Sequence, residues 1–429
     1  MCKKIFNYTI VATVFFLLTG KIVFAVSFGD FDPRSLGMGG AGVASGNSAN
    51  AAYYNPALLA MFPTRKEIGK NSQFIIPTFT ARIANAVETI DDAQQDKLDQ
   101  DLINAINTFN QAQNAQNAES VLQASRELET RLDDFLDGPV HADVNAAIVL
   151  GIGHKYEGGS IMISRRLVAD AVVNNFENDL ELLDTYVEAM QFIEAGGDPV
   201  TAATLYPEVF AANGTLEDNL TSSAVGGALL LTEIAMAMAG NFTIGQQTYA
   251  VGITPKVVHV ESFDFFADAT TDTTTDVRDD YEDWHVNLDL GIARQFDRHW
   301  RGGLVVKNIH SLKFKTSLGN TVELNPQVRM GVMHKSHAGL YAVDLDVVKN
   351  QPVRRGNESQ VLSLGGEWKV LNNTLLRAGA AKNLAGIDAG AKILYTLGVH
   401  WDIFNGVVDF TYAESSYEQA AGLQTGFRF

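Results

Sequence analysis

Short segments in which apolar and polar residues alternate recur along the chain, and this pattern restricts the possible folds more than any other feature. In the clearest segment, 284–293, every even-numbered residue is apolar, whereas polar or small residues occupy the odd positions. Successive side chains of a β-strand point to opposite faces, so a period of two predicts strands. Leu288, Val343 and Tyr395 are predicted on one face of their strands, and Asp289, Asp344 and Thr396 on the other.

The alternating segments also predict a closed membrane barrel. In hydrocarbon every backbone N–H and C=O must be paired, which only a helix or an edge-free barrel achieves. The stretch nearest to a spanning helix, 224–242, is interrupted by Glu233 and is predicted as a strand. We therefore predict an all-β membrane protein: a 14-stranded antiparallel outer-membrane β-barrel with short periplasmic turns and long external loops. Strands are predicted at 73–80, 143–155, 160–173, 223–240, 246–266, 282–296, 300–309, 324–334, 338–348, 359–369, 374–383, 391–402, 407–414 and 421–429, with tight turns at 156–159, 297–299, 335–337, 370–373 and 403–406.

The predicted inward faces carry charges of both signs, as the wet lumen of a barrel requires. These residues are Asp289, Asp344, Asp346, Glu367, Asp409, Lys392, Arg329 and Arg377.

The N-terminus has the pattern of a signal peptide over residues 1–25. Lys3 and Lys4 precede an apolar run at 10–18, and Val23 and Ala25 are small residues before a cleavage point. We expect export to the cell outer membrane; an uncleaved anchor is the alternative.

Two polar stretches, 84–136 and 174–222, interrupt the alternation. Apolar residues recur at helical spacing in both, which predicts helical insertions in external loops of the barrel. For 84–136 a solvated low-complexity loop remains the alternative, and the Thr- and Asp-rich run 268–280 predicts a solvated loop. The spaced residues are Leu98, Leu102, Ile106 and Phe109 in the first stretch, and Leu180, Leu183, Val187 and Met190 in the second.

A glycine-rich segment precedes the first strand. Residues 35–62 read SLGMGGAGVASGNSANAAYYNPALLAMF, and this text resembles the N-terminal segment of the FadL-like outer-membrane transporters of hydrophobic compounds (long-chain fatty acid transporter/OmpP1 group). Asn55, Pro56 and Ala57 match the Asn-Pro-Ala signature of that group. The resemblance implies that residues 26–66 form a hatch, or plug, inside the lumen and that 67–429 form the barrel. The segment is also too apolar for water and too irregular to span lipid.

Most of the remaining chain resembles a narrower family, the outer-membrane type of the conjugal transfer protein TraF. The similar segments are 251–260 (VGITPKVVHV), 299–308 (HWRGGLVVKN), 324–332 (LNPQVRMGV), 343–352 (VDLDVVKNQP) and 422–429 (GLQTGFRF). The resemblance departs most at the two polar insertions. It implies a barrel-assembly signal in the last strand, at Phe427 and Phe429.

Composition and missing motifs exclude several classes of protein. The formal net charge of −18 argues against a nucleic-acid partner, and the only cysteine, Cys2, lies in the leader. No G-x-S-x-G nucleophile motif occurs, and His334 and His337 have no nearby third residue for a zinc site. We predict no enzyme activity, no cofactor and no metal; the expected partners are outer-membrane lipid and the barrel-assembly machinery.

Two functions remain open from the sequence. In the first, the barrel passes a hydrophobic or amphipathic small molecule and the hatch gates it. In the second, the protein is a non-transporting assembly or surface-interaction component of a conjugation or secretion apparatus, and the helical insertions contact its proteins. The residues predicted to line a ligand site in the first case are Phe31, Leu36, Met38, Tyr53, Tyr54, Leu58 and Leu59.

Overall fold

The computed structural model describes residues 28–62, 72–84, 98–135, 140–174, 176–210, 221, 223–268, 275–315, 321–350, 358–385, 392–416 and 418–429. The predicted signal peptide lies outside these residues, as do parts of both predicted insertions.

Fourteen antiparallel strands close into one barrel, and each corresponds to a predicted strand. The first and last strands close the barrel, with Phe74 paired to Phe427 and Phe79 to Leu423. Closure leaves no edge strand, so backbone donors and acceptors are paired around the wall. The barrel strands are β1 (Ser72–Ala84), β2 (Val140–Ile152), β3 (Glu157–Asn174), β4 (Ser223–Ile244), β5 (Gln247–Asp268), β6 (Thr275–Gln295), β7 (Trp300–Lys307), β10 (Gln327–Lys335), β11 (Leu340–Asp346), β12 (Val361–Leu371), β13 (Thr374–Asn383), β14 (Ile393–Ile403), β15 (Gly406–Glu414) and β16 (Glu418–Arg428).

Tight turns lie at one end of the barrel, together with Ser72 and Arg428. The turn predicted at 156–159 is wrong in position: it lies at 153–156, because Gly159 already pairs with Ile152 in the β2–β3 ladder. Gly245 has a φ of 67°, a left-handed conformation that lets two residues join β4 to β5. The tight turns are 153–156, 245–246, 296–299, 336–339, 372–373 and 404–405.

The two faces of the wall differ as predicted. Val343 and Tyr395 are 44% and 64% exposed, whereas Asp344 and Thr396 are 1% and 2% exposed. Apolar side chains from strands all around the barrel are exposed on the outward face, an arrangement that lipid favours and water does not. The inward charged residues are buried or nearly so, except Lys392, which lies exposed just before β14.

The two insertions form helices at the long-loop end and pack together. The first contains α3 (Leu98–Gln111) and α4 (Ala115–Phe135); the second contains α5 (Phe176–Glu194), α6 (Pro199–Leu205) and α7 (Pro207–Phe210). Leu102, Phe109 and Val121 of the first share one buried core with Tyr186 and Met190 of the second. We call this unit the helical cap. Among the described helices, none is both long enough and apolar enough to cross a membrane.

Two stretches predicted as loops contain strands. β6 begins at Thr275, inside the run predicted as a solvated loop, because Asp276 and Val277 extend its ladder with β5. The connection between β7 and β10 forms a separate hairpin of β8 (Leu312–Lys315) and β9 (Thr321–Leu324). Both strands of this hairpin have four residues, which is too short for alternation to predict them.

Candidate functional site

Residues 28–62, which we call the hatch segment, are almost entirely buried against the inward faces of the strands. The segment contains α1 (Pro33–Leu36), α2 (Ala51–Tyr54) and a 3-10 helix (Pro56–Ala60). The 3-10 helix contacts β3 to β6, whereas α1 contacts β14 to β16 and β1. The segment therefore reaches opposite sides of the wall.

The Asn-Pro-Ala motif forms the joint between two short helices. Asn55 Oδ1 accepts a hydrogen bond from the Ala57 N–H at 3.1 Å, which caps the 3-10 helix. Its Nδ2 donates to the Val43 carbonyl at 3.0 Å and to the Ile292 carbonyl of β6 at 3.2 Å. Asn55 thus caps the 3-10 helix and also ties the hatch segment to the wall.

Charged side chains provide further anchors between the hatch segment and the wall. Asp344 Oδ2 accepts hydrogen bonds from the backbone N–H groups of Gly42 and Val43, at 2.7 and 2.8 Å. The Arg34 guanidinium pairs with the Glu367 carboxylate of β12 at 3.1 Å. Because these groups are largely withdrawn from water, losing one partner would leave the other poorly compensated.

Inward-facing glycines let the hatch segment approach the wall closely. A Cβ atom at Gly151 would lie 1.9 Å from the Ser48 carbonyl oxygen, and one at Gly252 would lie 2.4 Å from the Ala57 nitrogen. Carbon contacts are ordinarily about 3.5 Å or longer, so a side chain does not fit there. We call these wall residues the glycine belt: Gly151, Gly158, Gly252, Gly291, Gly303, Gly365 and Gly379, on β2, β3, β5, β6, β7, β12 and β13.

The residues predicted to line one ligand site are buried but do not line a single cavity. Leu36 packs in one cluster with residues of β13 to β16, and Met38 packs in another with Ala342. The other five belong to the largest cluster, where they contact inward alanines of the wall. These five are Phe31, Tyr53, Tyr54, Leu58 and Leu59. Most of the predicted lining thus holds the hatch segment together.

A cleft lies where the hatch segment, the wall and the β8–β9 connection meet. It has about 380 Å³ of empty space, including its open mouth. Tyr53 is the one residue of the predicted set that lines it. Its lining is mainly polar, and alternation alone could not select these inward positions. The lining residues are Tyr53, Asn145, Ser164, Arg166, Leu231, Glu233, Lys307, Asn308, Leu324 and Gln327.

Lys307 differs from the other basic side chains around this cleft in the partners that it contacts. Its ammonium group lies 3.1 Å from the centroid of the Tyr53 ring and 4.8 Å from that of Phe28. The side chain is buried, yet among the described residues it has neither a hydrogen bond nor an ion pair. Neighbouring Arg166 and Lys256, in contrast, pair with carboxylates of Asp143 and Glu233 at 2.7 and 3.0 Å.

The β8–β9 hairpin forms the wall of the cleft on the long-loop side. Strands β4 and β5 have 22 residues each, whereas β7 has eight, so one side of the barrel extends much further at this end. Phe314 of the hairpin is fully buried against Leu229 and Val258 on the inward face of that extension. Leu324, at the end of β9, both joins this cluster and lines the cleft.

Other predicted site features have mixed outcomes. Phe427 and Phe429 are 57% and 54% exposed, and the Phe429 N–H donates to the Ser72 carbonyl at 3.1 Å. Their role as a barrel-assembly signal stays a prediction. Within the described ranges, no group of three or more His, Asp or Glu residues is arranged to hold a metal ion. That the protein is not an enzyme also stays a prediction.

Comparison with solved structures finds channels of similar overall architecture. The Ralstonia pickettii toluene transporter TbuX is 12% identical with a TM-score of 0.49, and the match covers 93% of this chain and 98% of that one. The CymD monoaromatic hydrocarbon channel is 12% identical with a TM-score of 0.47, covering 94% and 99%. A Pseudomonas aeruginosa FadL homologue is 9% identical with a TM-score of 0.46, covering 95% and 99%. Sequence identities and TM-scores this low do not indicate which ligands this chain binds.

Sequence comparison gives a more specific result. No curated protein matches the chain. The family described as "F plasmid transfer operon, TraF, protein" matches residues 52–346. This range includes the end of the hatch segment, the helical cap and the strands from β1 to β11. The match covers well over half of the sequence and confirms the predicted resemblance: the chain belongs to the TraF family of the F plasmid transfer operon.

Proposed function

We propose that this protein passes an amphipathic small molecule, with an anionic head and a hydrophobic body, across the outer membrane, and that the hatch segment gates the passage. The single observation that carries the proposal is Lys307. This buried lysine side chain faces an open cleft, and its terminal nitrogen lies against two aromatic rings of the hatch segment.

An unpaired buried ammonium group is costly, and a cation–π contact offsets only part of the lost hydration. A carboxylate or phosphate that entered the cleft would supply the missing charge. The same anion would compete with the rings of Phe28 and Tyr53 for the ammonium group. Ligand binding would therefore weaken a contact between the wall and the hatch segment, which couples recognition to opening.

The membrane location belongs to the same proposal. We place the tight-turn end of the barrel in the periplasm and the long-loop end outside the cell, because short periplasmic turns and long external loops are usual for such barrels. The cleft then lies on the external side of the hatch segment. Recovery of the protein in the soluble periplasmic fraction of its host would contradict this placement.

Binding of decanoate and of decanol by the purified barrel tests the role of Lys307. The two probes share an alkyl chain and differ in the charge of the head. We expect Lys307→Gln to weaken decanoate binding by about tenfold and to leave decanol binding unchanged. Lys313→Gln is the control, since Lys313 is exposed on the hairpin and pairs with Glu323. Equal decanoate affinity in wild type and Lys307→Gln would refute the proposal.

The helical cap favours a second candidate function, surface interaction within a conjugation or secretion apparatus. Its helices and their connections, 98–135 and 176–210, contain fifteen acidic residues and two arginines. Such a surface attracts a basic protein partner and is not needed to close the barrel. Replacing both insertions with short linkers tests this function. Loss of conjugation with normal decanoate uptake would support it, whereas loss of uptake alone would favour the first function.

A further inference from the structure

Arg294 occupies an unusual position on the outward face of β6. The preceding outward residues, Leu290 and Ile292, are apolar and 41% and 39% exposed, so they belong to the lipid-facing surface. Phe296, the next outward residue, is 55% exposed in the tight turn at the strand end. Arg294 therefore lies where the apolar surface meets the turns, at the level of a membrane interface.

Within the described ranges, the surroundings of Arg294 provide aromatic rings but no anion. Its guanidinium carbon lies 5.4 Å from the centroid of the Tyr249 ring and 5.3 Å from that of Phe296. Among the described residues it has no hydrogen bond or ion pair. With no acceptor from the described residues, its five N–H donors take one from outside them, either water or a lipid headgroup.

The other arginines of the wall show how differently Arg294 is placed. On the inward face, Arg329 pairs with Asp346 at 2.5 Å and Arg166 with Asp143 at 2.7 Å. Arg165, which also faces outward, pairs with Glu261 at 3.0 Å. Within the part of the chain that the structure describes, a carboxylate pairs with each of these three cations, whereas Arg294 contacts two aromatic rings.

We propose that Arg294, held between Tyr249 and Phe296, binds the phosphate group of a membrane phospholipid at the tight-turn interface. A planar guanidinium can donate two parallel hydrogen bonds to a phosphate, and the exposed apolar residues beside it can receive the acyl chains. The lipid is a structural partner of the barrel and is distinct from any molecule in the cleft. The proposal rests on the lipid-facing surface and not on transport.

Native mass spectrometry of the full-length barrel in detergent tests this site. The probes are dimyristoyl phosphatidylglycerol and dimyristoyl glycerol, which share acyl chains and differ in the phosphate headgroup. We expect wild type to bind one molecule of phosphatidylglycerol more tightly than one molecule of the glyceride. Arg294→Gln should weaken the binding of that phosphatidylglycerol molecule by about tenfold and leave glyceride binding unchanged.

Two further variants make the outcome specific. Arg165→Gln removes an outward arginine that already has a protein partner, and it should bind phosphatidylglycerol like wild type. Arg294→Lys should recover part of the affinity, because a lysine keeps the charge but not the fork of donors. Heat-modifiable migration on gels confirms that each variant is folded. Equal phosphatidylglycerol affinities for wild type and Arg294→Gln, or equal losses in Arg294→Gln and Arg165→Gln, would overturn the proposal.

Discussion

Replacing Gly252 by alanine should loosen the hatch segment and open the barrel. The new Cβ would lie 2.4 Å from both the Ala57 nitrogen and the Pro56 carbonyl carbon. Both are backbone atoms, so they cannot rotate away as the end of a side chain can. To restore a contact of about 3.5 Å, the hatch segment or the strand must shift by roughly 1 Å.

The free-energy cost follows from these contacts. Overpacking of a tight interior costs about 1–3 kcal/mol. The hydrogen bond from Asn55 Nδ2 to the Ile292 carbonyl is 3.2 Å long, and Ile292 follows Gly291, the residue that pairs with Gly252. A shift of about 1 Å would break it, at a further cost of about 1 kcal/mol. The closed state would lose about 2–4 kcal/mol, which raises the ratio of open to closed barrels roughly 30- to 1,000-fold.

Single-channel recording in planar bilayers measures this ratio directly. Gly252→Ala should show frequent openings that wild type rarely shows. Gly240→Ala is the control, because Gly240 lies on the neighbouring strand β4 and the nearest atom of a described residue to its added Cβ would be 4.0 Å away. A Gly252→Ala barrel that is folded yet conducts like wild type would refute the argument that the glycine belt is what admits the hatch segment.

Further predictions test other parts of the site. Deleting residues 27–62 should leave a lasting pore, and an unchanged conductance would show that the segment does not occlude the lumen. Asp344→Ala removes the acceptor of two hatch amides, so their hydrogen exchange should accelerate about tenfold; Asp344→Asn should have a smaller effect because its side-chain oxygen still accepts. A chain that ends at Arg428 should assemble poorly, and normal yield of heat-modifiable barrel would argue against an assembly role for Phe429. In the turn 296–299, hydrogen bonds from the backbone N–H groups of residues 299 and 300 hold the pKa of Asp297 below its usual range. The stability that Asp297 gives is therefore present above its ordinary pKa and is lost as pH falls through the lower folded value. After correction for the intrinsic pH dependence of exchange, the protection of this turn should fall in acid for wild type and not for Asp297→Asn; matching protection profiles would count against this role.

The barrel could be predicted because its pattern is repeated and local. Each strand has one face in lipid and one in the lumen, so every segment carries the same period of two without reference to its neighbours. The pattern correctly separated Val343 from Asp344 and Tyr395 from Thr396. Turn positions follow less directly from residue type, because glycine favours turns, yet Gly158 and Gly159 both pair with residues of β4 as part of a strand.

The arrangement of the site could not be predicted in the same way. The predicted lining residues were chosen for their apolar character, and they are buried because they pack on one another and on small wall residues. The cleft depends on a contact between Lys307 and Tyr53, which lie 254 residues apart in the sequence. A local periodic pattern does not predict such a contact. The packing of α4 against α5, from different loops, is long-range for the same reason.

The glycine belt shows which long-range information the sequence nevertheless contains. A glycine weakens a strand because its backbone loses more entropy on folding and it has no side chain to pack. A glycine in a strand interior therefore calls for a structural explanation. Gly252, Gly291 and Gly303 share the inward face of adjacent strands, and each would collide with the hatch segment if it carried a Cβ. The cost to the strands is offset by the close fit of a chain inside the lumen. Inward glycines that recur on neighbouring barrel strands therefore predict a plug, and they predict it from the wall alone, without any motif in the plug itself.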